Sequence, residues 1–220
     1  MSTLADPQYV MIGAGGHARV LQETLALTGV TLAGFIAPTQ ESRLKDTPWF
    51  GSDDALAGLD RATALLVNGV GSAGAVDRRA SVHEAATALG FDFATVIDPT
   101  AIVRASATIE AGAQVLAGAI VNTDAVVGPD AIVNTRAVVE HDSRIGAHSH
   151  VASGATLAGN VTIGERTHVG LGALVIQGIS VGSGCVIGAG AVVVKHVADR
   201  SLAVGIPARS RPIDSSGKAE

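Results

Sequence analysis

The sequence predicts a small α/β domain, a Rossmann-like parallel sheet, followed by a parallel β-helix of hexapeptide repeats. Three observations carry this. The 220 residues are 47% hydrophobic, yet they hold six aromatic side chains: Tyr9, Phe35, Trp49, Phe50, Phe91 and Phe93. The 127 residues from position 94 onward contain none, although they are dense in Val, Ile, Ala and Gly. Ordinary cores use aromatic rings because each buries about 150–250 Å². A long segment that buries itself without them needs a narrow, regular interior. Disordered chains are poor in Val and Ile and rich in charge, so disorder is excluded.

The second observation is a repeat. Every sixth residue from Ile97 to Val193 is aliphatic, and all but Leu157 are Val or Ile. Four residues after each stands a small or β-branched residue, such as Ala101, Ala125, Ser143, Thr167 or Cys185. A period of six is neither helical (3.6) nor a plain strand (2). It fits a short strand plus a corner, three of which close one triangular coil. Coils stacked at strand spacing, about 4.8 Å, would number about five and rise roughly 25 Å. The aliphatic position is expected to point inward at every strand. Gly and Asn are expected at the corners, where positive φ is needed.

The third observation is the alternation of strands and helices before residue 94. Tyr9 to Ile12 reads as a buried strand. Gly13-Ala14-Gly15-Gly16-His17 follows, then Val20, Leu21, Thr24, Leu25 and Leu27 at helical spacing, ended by Gly29. Thr31 to Ile36 reads as a second strand. Ser52-Asp53-Asp54 is expected to cap a short helix. Ala64 to Val67 is a third strand, leading into Asn68-Gly69-Val70-Gly71-Ser72. Arg78 to Leu89 is a further helix, and Phe91 to Ile97 leads into the repeat. Such alternation implies a parallel sheet with ligands at the carboxyl ends of its strands. The expected division is 1–94 for the α/β domain, 95–198 for the β-helix and 199–220 for a C-terminal tail.

Several function classes fall. The longest low-polarity run, residues 25–37, is shorter than the 18–20 a membrane span needs. The start MSTLADPQ lacks the basic and apolar regions of a signal peptide. The single Cys185 cannot form an internal disulfide, which suits the cytoplasm. A net charge of −5 gives no footprint for nucleic acid, and neither nucleic acid nor membrane is expected as a partner. The glycine turn, Gly13-x-Gly15-Gly16, has Ala18 at the sixth position, so the dinucleotide fingerprint is incomplete. Strand two ends Ala37-Pro38, without the acid a nicotinamide site requires.

The chemistry is sought among the histidines of a polar-poor repeat: His141, His148, His150, His168 and His196. A single histidine on a β-helix face is ordinarily just solvated. His141 differs because Glu140 and Asp142 flank it, and a carboxylate fixes an imidazole's tautomer and raises its basicity. His150 and His168 are 18 apart and therefore in register on adjacent coils. This leaves open a zinc site shared between subunits, as in gamma-class carbonic anhydrases. A non-catalytic trimerisation stalk carrying a ligand sensor also stays open. Cys185 occupies an interior position and reads as packing.

The whole chain resembles the bacterial sugar O-/N-acyltransferase family of the NeuD type, hexapeptide-repeat acetyltransferases that include nucleotide-4-amino-sugar N-acetyltransferases. The carrying motifs are Ile12-Gly13-Ala14-Gly15-Gly16-His17-Ala18, Asn134-Thr135-Arg136-Ala137-Val138-Val139-Glu140-His141-Asp142, His148-Ser149-His150-Val151 and Gly205-Ile206-Pro207-Ala208-Arg209. The resemblance implies a left-handed β-helix, a homotrimer, and acetyl-CoA as co-substrate with no metal. It implies direct acetyl transfer to the amino group of a nucleotide-linked amino sugar, with O-acetylation of a nonulosonic acid as the alternative. By the same resemblance His141 is the catalytic base and Asp142 strengthens it. His150, Leu171 and Ala189 meet the acetyl-CoA, and Gly15, Gly16, His17 and Gly71 meet the sugar or nucleotide-sugar acceptor. A backbone N–H or His150 is expected to stabilise the thioester oxyanion. One departure stands out: Ala37-Pro38 replaces the acidic pair that nucleotide-sugar members usually carry there.

Overall fold

The computed structural model describes residues 7–72 and 77–213. The first part is a five-stranded parallel sheet in the order β3-β2-β1-β4-β5. Its strands are β1 (Gln8–Ile12), β2 (Leu32–Ile36), β3 (Trp49–Gly51), β4 (Ala64–Asn68) and β5 (Asp92–Phe93). Helix α1 (Gly16–Leu27) covers one side and α2 (Asp77–Ala88) the other. β1 is apolar because both of its faces are covered, as in any parallel sheet. The edge strand β3 was not anticipated: it has three residues, too few for a period to register. The expected short helix is a 3₁₀ turn over Asp53–Gly58. The Ser52 side chain makes no cap bond; its carbonyl accepts the Ala55 N–H instead, at 2.8 Å.

The second part is a parallel β-helix of seventeen two-residue strands from β6 (Val96–Ile97) to β22 (Val192–Val193). Partners differ by 18 residues throughout, as in Ile120↔Val138 and His150↔His168, so three hexads make one coil. The second residue of each strand and the small residue four positions on point inward. From Ala113 to Val193 they form one core in which Val121, Ala125, Leu157 and Ala173 are fully buried. The first coil departs from this. Ile97 is 38% exposed, and Val103 and Ile109 are half-buried, because no coil lies beneath them. The corners also correct the expectation of Gly and Asn alone. Left-handed φ values recur every sixth residue from 112 to 190, and Asp124, Asp130, Arg136, Asp142, His148 and Arg166 adopt them beside the glycines. Asp, Asn and His tolerate this region better than most residues.

The three faces of the coil differ in their outward residues. The first face, which includes β6, presents Val96, Gln114, Ile132 and His150, all buried beneath α1 and the β4 loop. Leu116 and Ile132 share a core with Ala18, Leu21 and Leu25, so the two parts are welded together. The second face, ending in β22, presents Ile102, Ile120, Val138, Thr156, Leu174 and Val192 without a covering element among the described residues; Ile102 and Leu174 are 49% and 44% exposed and the other four are half-buried. The third presents Thr108, Val126, Arg144, Thr162 and Ser180, a largely polar surface.

The expected tail is not one over most of its described length. β23 (Ser201–Gly205) pairs in parallel with Val186-Ile187, and β24 (Ala208–Pro212) folds back on it as a hairpin, so the stack ends in paired strands. Residues 214–220 lie outside the described residues. No described helix is long and apolar enough to cross a membrane.

Candidate active site

His141 stands at a corner between the second and third faces. Its Nδ1–H donates to Asp142 Oδ2 at 2.7 Å. Asp142 reaches it because its own backbone is left-handed, with φ 60°. Asp142 first, and then Glu140, raise the imidazole pKa above its ordinary value, against a smaller opposing effect of desolvation. Asn122 Nδ2 donates to Glu140 Oε2 at 2.8 Å and holds that second carboxylate in place. With Nδ1 committed to Asp142, Nε2 carries the lone pair that accepts a proton. One coil above, Gly159 leaves room for the ring: a Cβ there would stand 2.5 Å from Nε2. His141 and Asp142 remain about half exposed, at 52% and 59%.

A cleft of about 370 Å³ lies elsewhere, between α1, the β4 loop and the first face. It gathers Gly16, His17, Gly71 and His150 from the expected site, with Asn134 and Ser72 beside them. Gly71 allows close packing, since a Cβ there would be 3.1 Å from that of His17. Gly15 precedes α1 with open space in front of it and no side-chain cap.

Hydrogen-bond logic assigns both imidazoles. Gln114 Nε2 donates to the Asn68 carbonyl at 2.9 Å, so its Oε1 accepts from His17 Nε2–H at 2.7 Å. His17 therefore keeps its Nδ1 unprotonated. Burial, aided by the Arg79 charge, lowers its pKa to about 4. Asn134 Oδ1 accepts the Thr135 N–H, which makes its Nδ2 a donor to His150 Nε2 at 2.9 Å. His150 Nδ1–H then donates to Ser72 Oγ at 2.6 Å. Burial, then His168 and His17, push the His150 pKa down to about 3. Both His150 nitrogens are thus occupied within the chain, which argues against His150 as the free donor to an oxyanion. His168 comes into register with it as expected, rings edge-on at 5.0 Å. Among the described residues no three His, Cys, Asp or Glu side chains converge to hold a metal.

The β4 loop is clamped from behind by charges that sequence reasoning missed. Arg79 of α2 donates to Asp130 Oδ1 at 2.7 Å and to the carbonyls of Asn68 and Val70, both at 2.9 Å. Asn68 Nδ2 also reaches Asp130 Oδ1, at 3.0 Å. Arg79 and Asp130 are fully buried. Nothing in the sequence marks Arg79, one of two adjacent arginines in a polar helix. Gln114 did leave a signal, as a polar residue between Val96 and Ile132 on an otherwise aliphatic strip.

Leu171 and Ala189 lie at the corner between the first and second faces, stacked with Thr135 and Ser153 at intervals of 18. Leu171 is 60% exposed. Gly154, Gly172 and Gly190 tie the column together by N–H bonds to Thr135, Ser153 and Leu171. This column begins at the cleft, whereas His141 belongs to the next corner. One chain therefore joins the cleft residues to the column but does not bring His141 to them. Cys185 is buried, which raises its thiol pKa, and its Sγ lies 3.1 Å from the Ala198 carbonyl.

The PglD N-terminal domain model matches residues 8–85, and the model for the hexapeptide repeat of succinyl-transferase matches 160–195. Comparison with curated proteins gives no match. Among solved structures, PerB from Caulobacter crescentus, in complex with CoA and GDP-perosamine, is 37% identical. The alignment covers 96% of this chain and 100% of that one, with a TM-score of 0.86. The acetyltransferase domain of PglB from Neisseria gonorrhoeae, in complex with acetyl coenzyme A, is 35% identical over 93% of this chain and 99% of that one, with a TM-score of 0.87. WeeI from Acinetobacter baumannii shares the fold at 21% identity, over 92% and 99% of the two chains, with a TM-score of 0.82. With such identity over nearly its whole length, the chain belongs to the hexapeptide-repeat sugar O-/N-acyltransferases of the NeuD type.

Proposed function

We propose that the protein transfers the acetyl group of acetyl-CoA directly to the amino group of a nucleotide-linked amino sugar. The observation that carries this is the His141–Asp142 hydrogen bond, which leaves a basic Nε2 free beside a glycine backbone. Nε2 takes a proton from the amine as its nitrogen attacks the thioester carbon. The tetrahedral intermediate then expels the CoA sulfur, which takes that proton back from Nε2 and leaves as the thiol, returning His141 to its neutral form. No enzyme nucleophile is needed, and the buried Cys185 supplies none. The acetyl-CoA lies along the Leu171–Ala189 column, and the sugar occupies the cleft at Gly16, His17 and Gly71.

The working unit is a homotrimer, supported by the uncovered aliphatic second face. Packed about a threefold axis, that face sets its two corners against the opposite corners of neighbouring copies. His141 of one copy then meets the donor column and cleft of another. A cytoplasmic location agrees with an unpaired cysteine and a CoA substrate. The test is thiol release from acetyl-CoA in the presence of GDP-, UDP-, dTDP- and CDP-linked 4-amino sugars, with free nonulosonic acids for comparison. Release with a nucleotide amino sugar supports the reading. Release only with a nonulosonic acid, or none at all, overturns it. His141→Ala should lower kcat about 10²-fold or more in the same assay, the usual worth of a general base.

A further inference from the structure

Gln114 takes no part in the acetyl-transfer chemistry, and its place is an unfavourable one. It is fully buried on the first face, with Val96 one coil below and Ile132 one coil above. An amide in such a strip is costly unless it is hydrogen-bonded. Here both of its ends are bonded, to opposite kinds of group. The Asn68 carbonyl can only accept, so it takes the amide Nε2–H at 2.9 Å. Arg79 donates to the same carbonyl at 2.9 Å, and Asp130 fixes Arg79 in turn. The amide oxygen is left for His17 Nε2–H, at 2.7 Å. Burial, aided by the Arg79 charge, lowers the His17 pKa to about 4, so the ring is neutral. Nδ1 of His17 then carries a lone pair and no proton. Among the described residues nothing bonds to this nitrogen, yet it is not sealed off: the sealed and unpaired side-chain atom is Nδ1 of His168. His17 lines the cleft, where His150 has both of its nitrogens already bonded.

We infer that Gln114 is a specificity-determining positioning residue: it locks His17 as a hydrogen-bond acceptor, so that the sugar must place a donor, a hydroxyl or an amine N–H, against Nδ1. The inference rests on the reading of the cleft as the sugar site. A neutral imidazole is ambiguous by nature, because either nitrogen can carry the proton. Unlocked, His17 would meet a donor or an acceptor equally well. Locked by Gln114, it suits a donor alone, and a carbonyl or carboxylate in that place faces a lone pair. A site built to pair with one polar group discriminates against analogues that lack it, since its own group is then left unpaired. Gln114 exerts this choice from beneath the cleft, without touching the sugar.

Nitrogen NMR of the labelled full-length protein distinguishes the two tautomers, and His17→Gln identifies the His17 signals. We expect a protonated Nε2 and a bare Nδ1 that moves when a nucleotide amino sugar is added. Within a series of monodeoxy sugars, one should show a KM raised about tenfold, the worth of one hydrogen bond. Gln114→Met frees the tautomer. Its KM for the parent sugar should rise about tenfold by the same loss, and the critical monodeoxy sugar should lose little more. Its kcat should stay within a few-fold, and its KM for acetyl-CoA should not change. Gln114→Glu sets a carboxylate beside Arg79 and the imidazole, so His17 should become doubly protonated and the KM for the sugar should rise further. A protonated Nδ1 in the unmodified protein, an unchanged sugar KM in folded Gln114→Met, or equal losses for sugar and acetyl-CoA overturns the inference and leaves the proposed reaction standing. If Gln114→Met does not fold, the tautomer and the monodeoxy series of the unmodified protein decide. Thiol release with a sugar that leaves the His17 signals unmoved overturns the reading of the cleft itself.

Discussion

As the proposed base, His141 sets where on the pH scale acetyl transfer runs. An imidazole accepts a proton only when neutral, and Asp142 holds the His141 pKa above the ordinary value. The acid limb of kcat/KM against pH reports that group in the free enzyme. It should therefore fall above the ordinary imidazole value. Asp142→Asn removes the charge that stabilises the imidazolium, so the limb should move to lower pH while the plateau rate drops. An unmoved limb would show that another group sets the profile. His17 and His150, held near 4 and 3 by burial, stay neutral across this range and should contribute no limb. The triplet Glu140-His141-Asp142 was legible in the sequence because opposite chemistries stand adjacent there. The hydrogen bonds that hold His150 were not, because Ser72 lies 78 positions away and Asn134 becomes a donor only once Thr135 binds its oxygen.

Elements here are held by very different means. Helix α2 docks through a buried ion pair, Arg79 with Asp130, which also fastens the carbonyls of the β4 loop. Removing one member leaves the other charge buried and unmatched, at a cost of about 3–5 kcal/mol. Arg79→Ala should lower the denaturation midpoint accordingly and weaken acceptor binding more than acetyl-CoA binding. An exposed arginine would give no such loss in chemical denaturation. At the α2 rim, Glu84 faces Arg166 and His148, so the attachment continues outward as weaker surface contacts. The coil elements depend instead on corner conformation. Gly178 has φ 72° and open space around it. Gly178→Val should cost about 1–2 kcal/mol, the left-handed penalty for a residue with a Cβ, and Gly178→Asn clearly less. Equal losses in thermal unfolding would mean the corner is not the cause. Period and strand pairing could be read directly from the hexads. The buried polar clamp could not, since it joins a helix position and a corner position that no period relates.

For the whole molecule, the prediction concerns which residues share a chain. The cleft and the Thr135–Ala189 column lie on one corner system, and His141 lies on another. Light scattering should give three times the 22.0 kDa chain mass. Mixed trimers offer the sharper test. His141→Ala removes the base, and Gly71→Trp fills the cleft against His17. Each variant alone should be inactive, and co-refolded mixtures should regain a measurable fraction of activity. Mixtures as inactive as their parents would place the base and cleft in one chain. The two-part architecture was legible from the loss of aromatic residues after Phe93. The weld between the parts was not, because Leu116 and Ile132 read as ordinary repeat residues until α1 covers them.

The column through Thr135, Ser153, Leu171 and Ala189 has one further consequence. Its rungs fall at intervals of 18 residues and about 4.8 Å. With acetyl-CoA laid along it as proposed, the column is a ruler with fixed graduations. A duplicated or deleted stretch of 18 residues changes the length that is gauged by one graduation and leaves every face where it was. A stretch of six carries the same side chains round to a different face. Length and chemistry in this molecule can therefore change independently, but length changes only in whole turns.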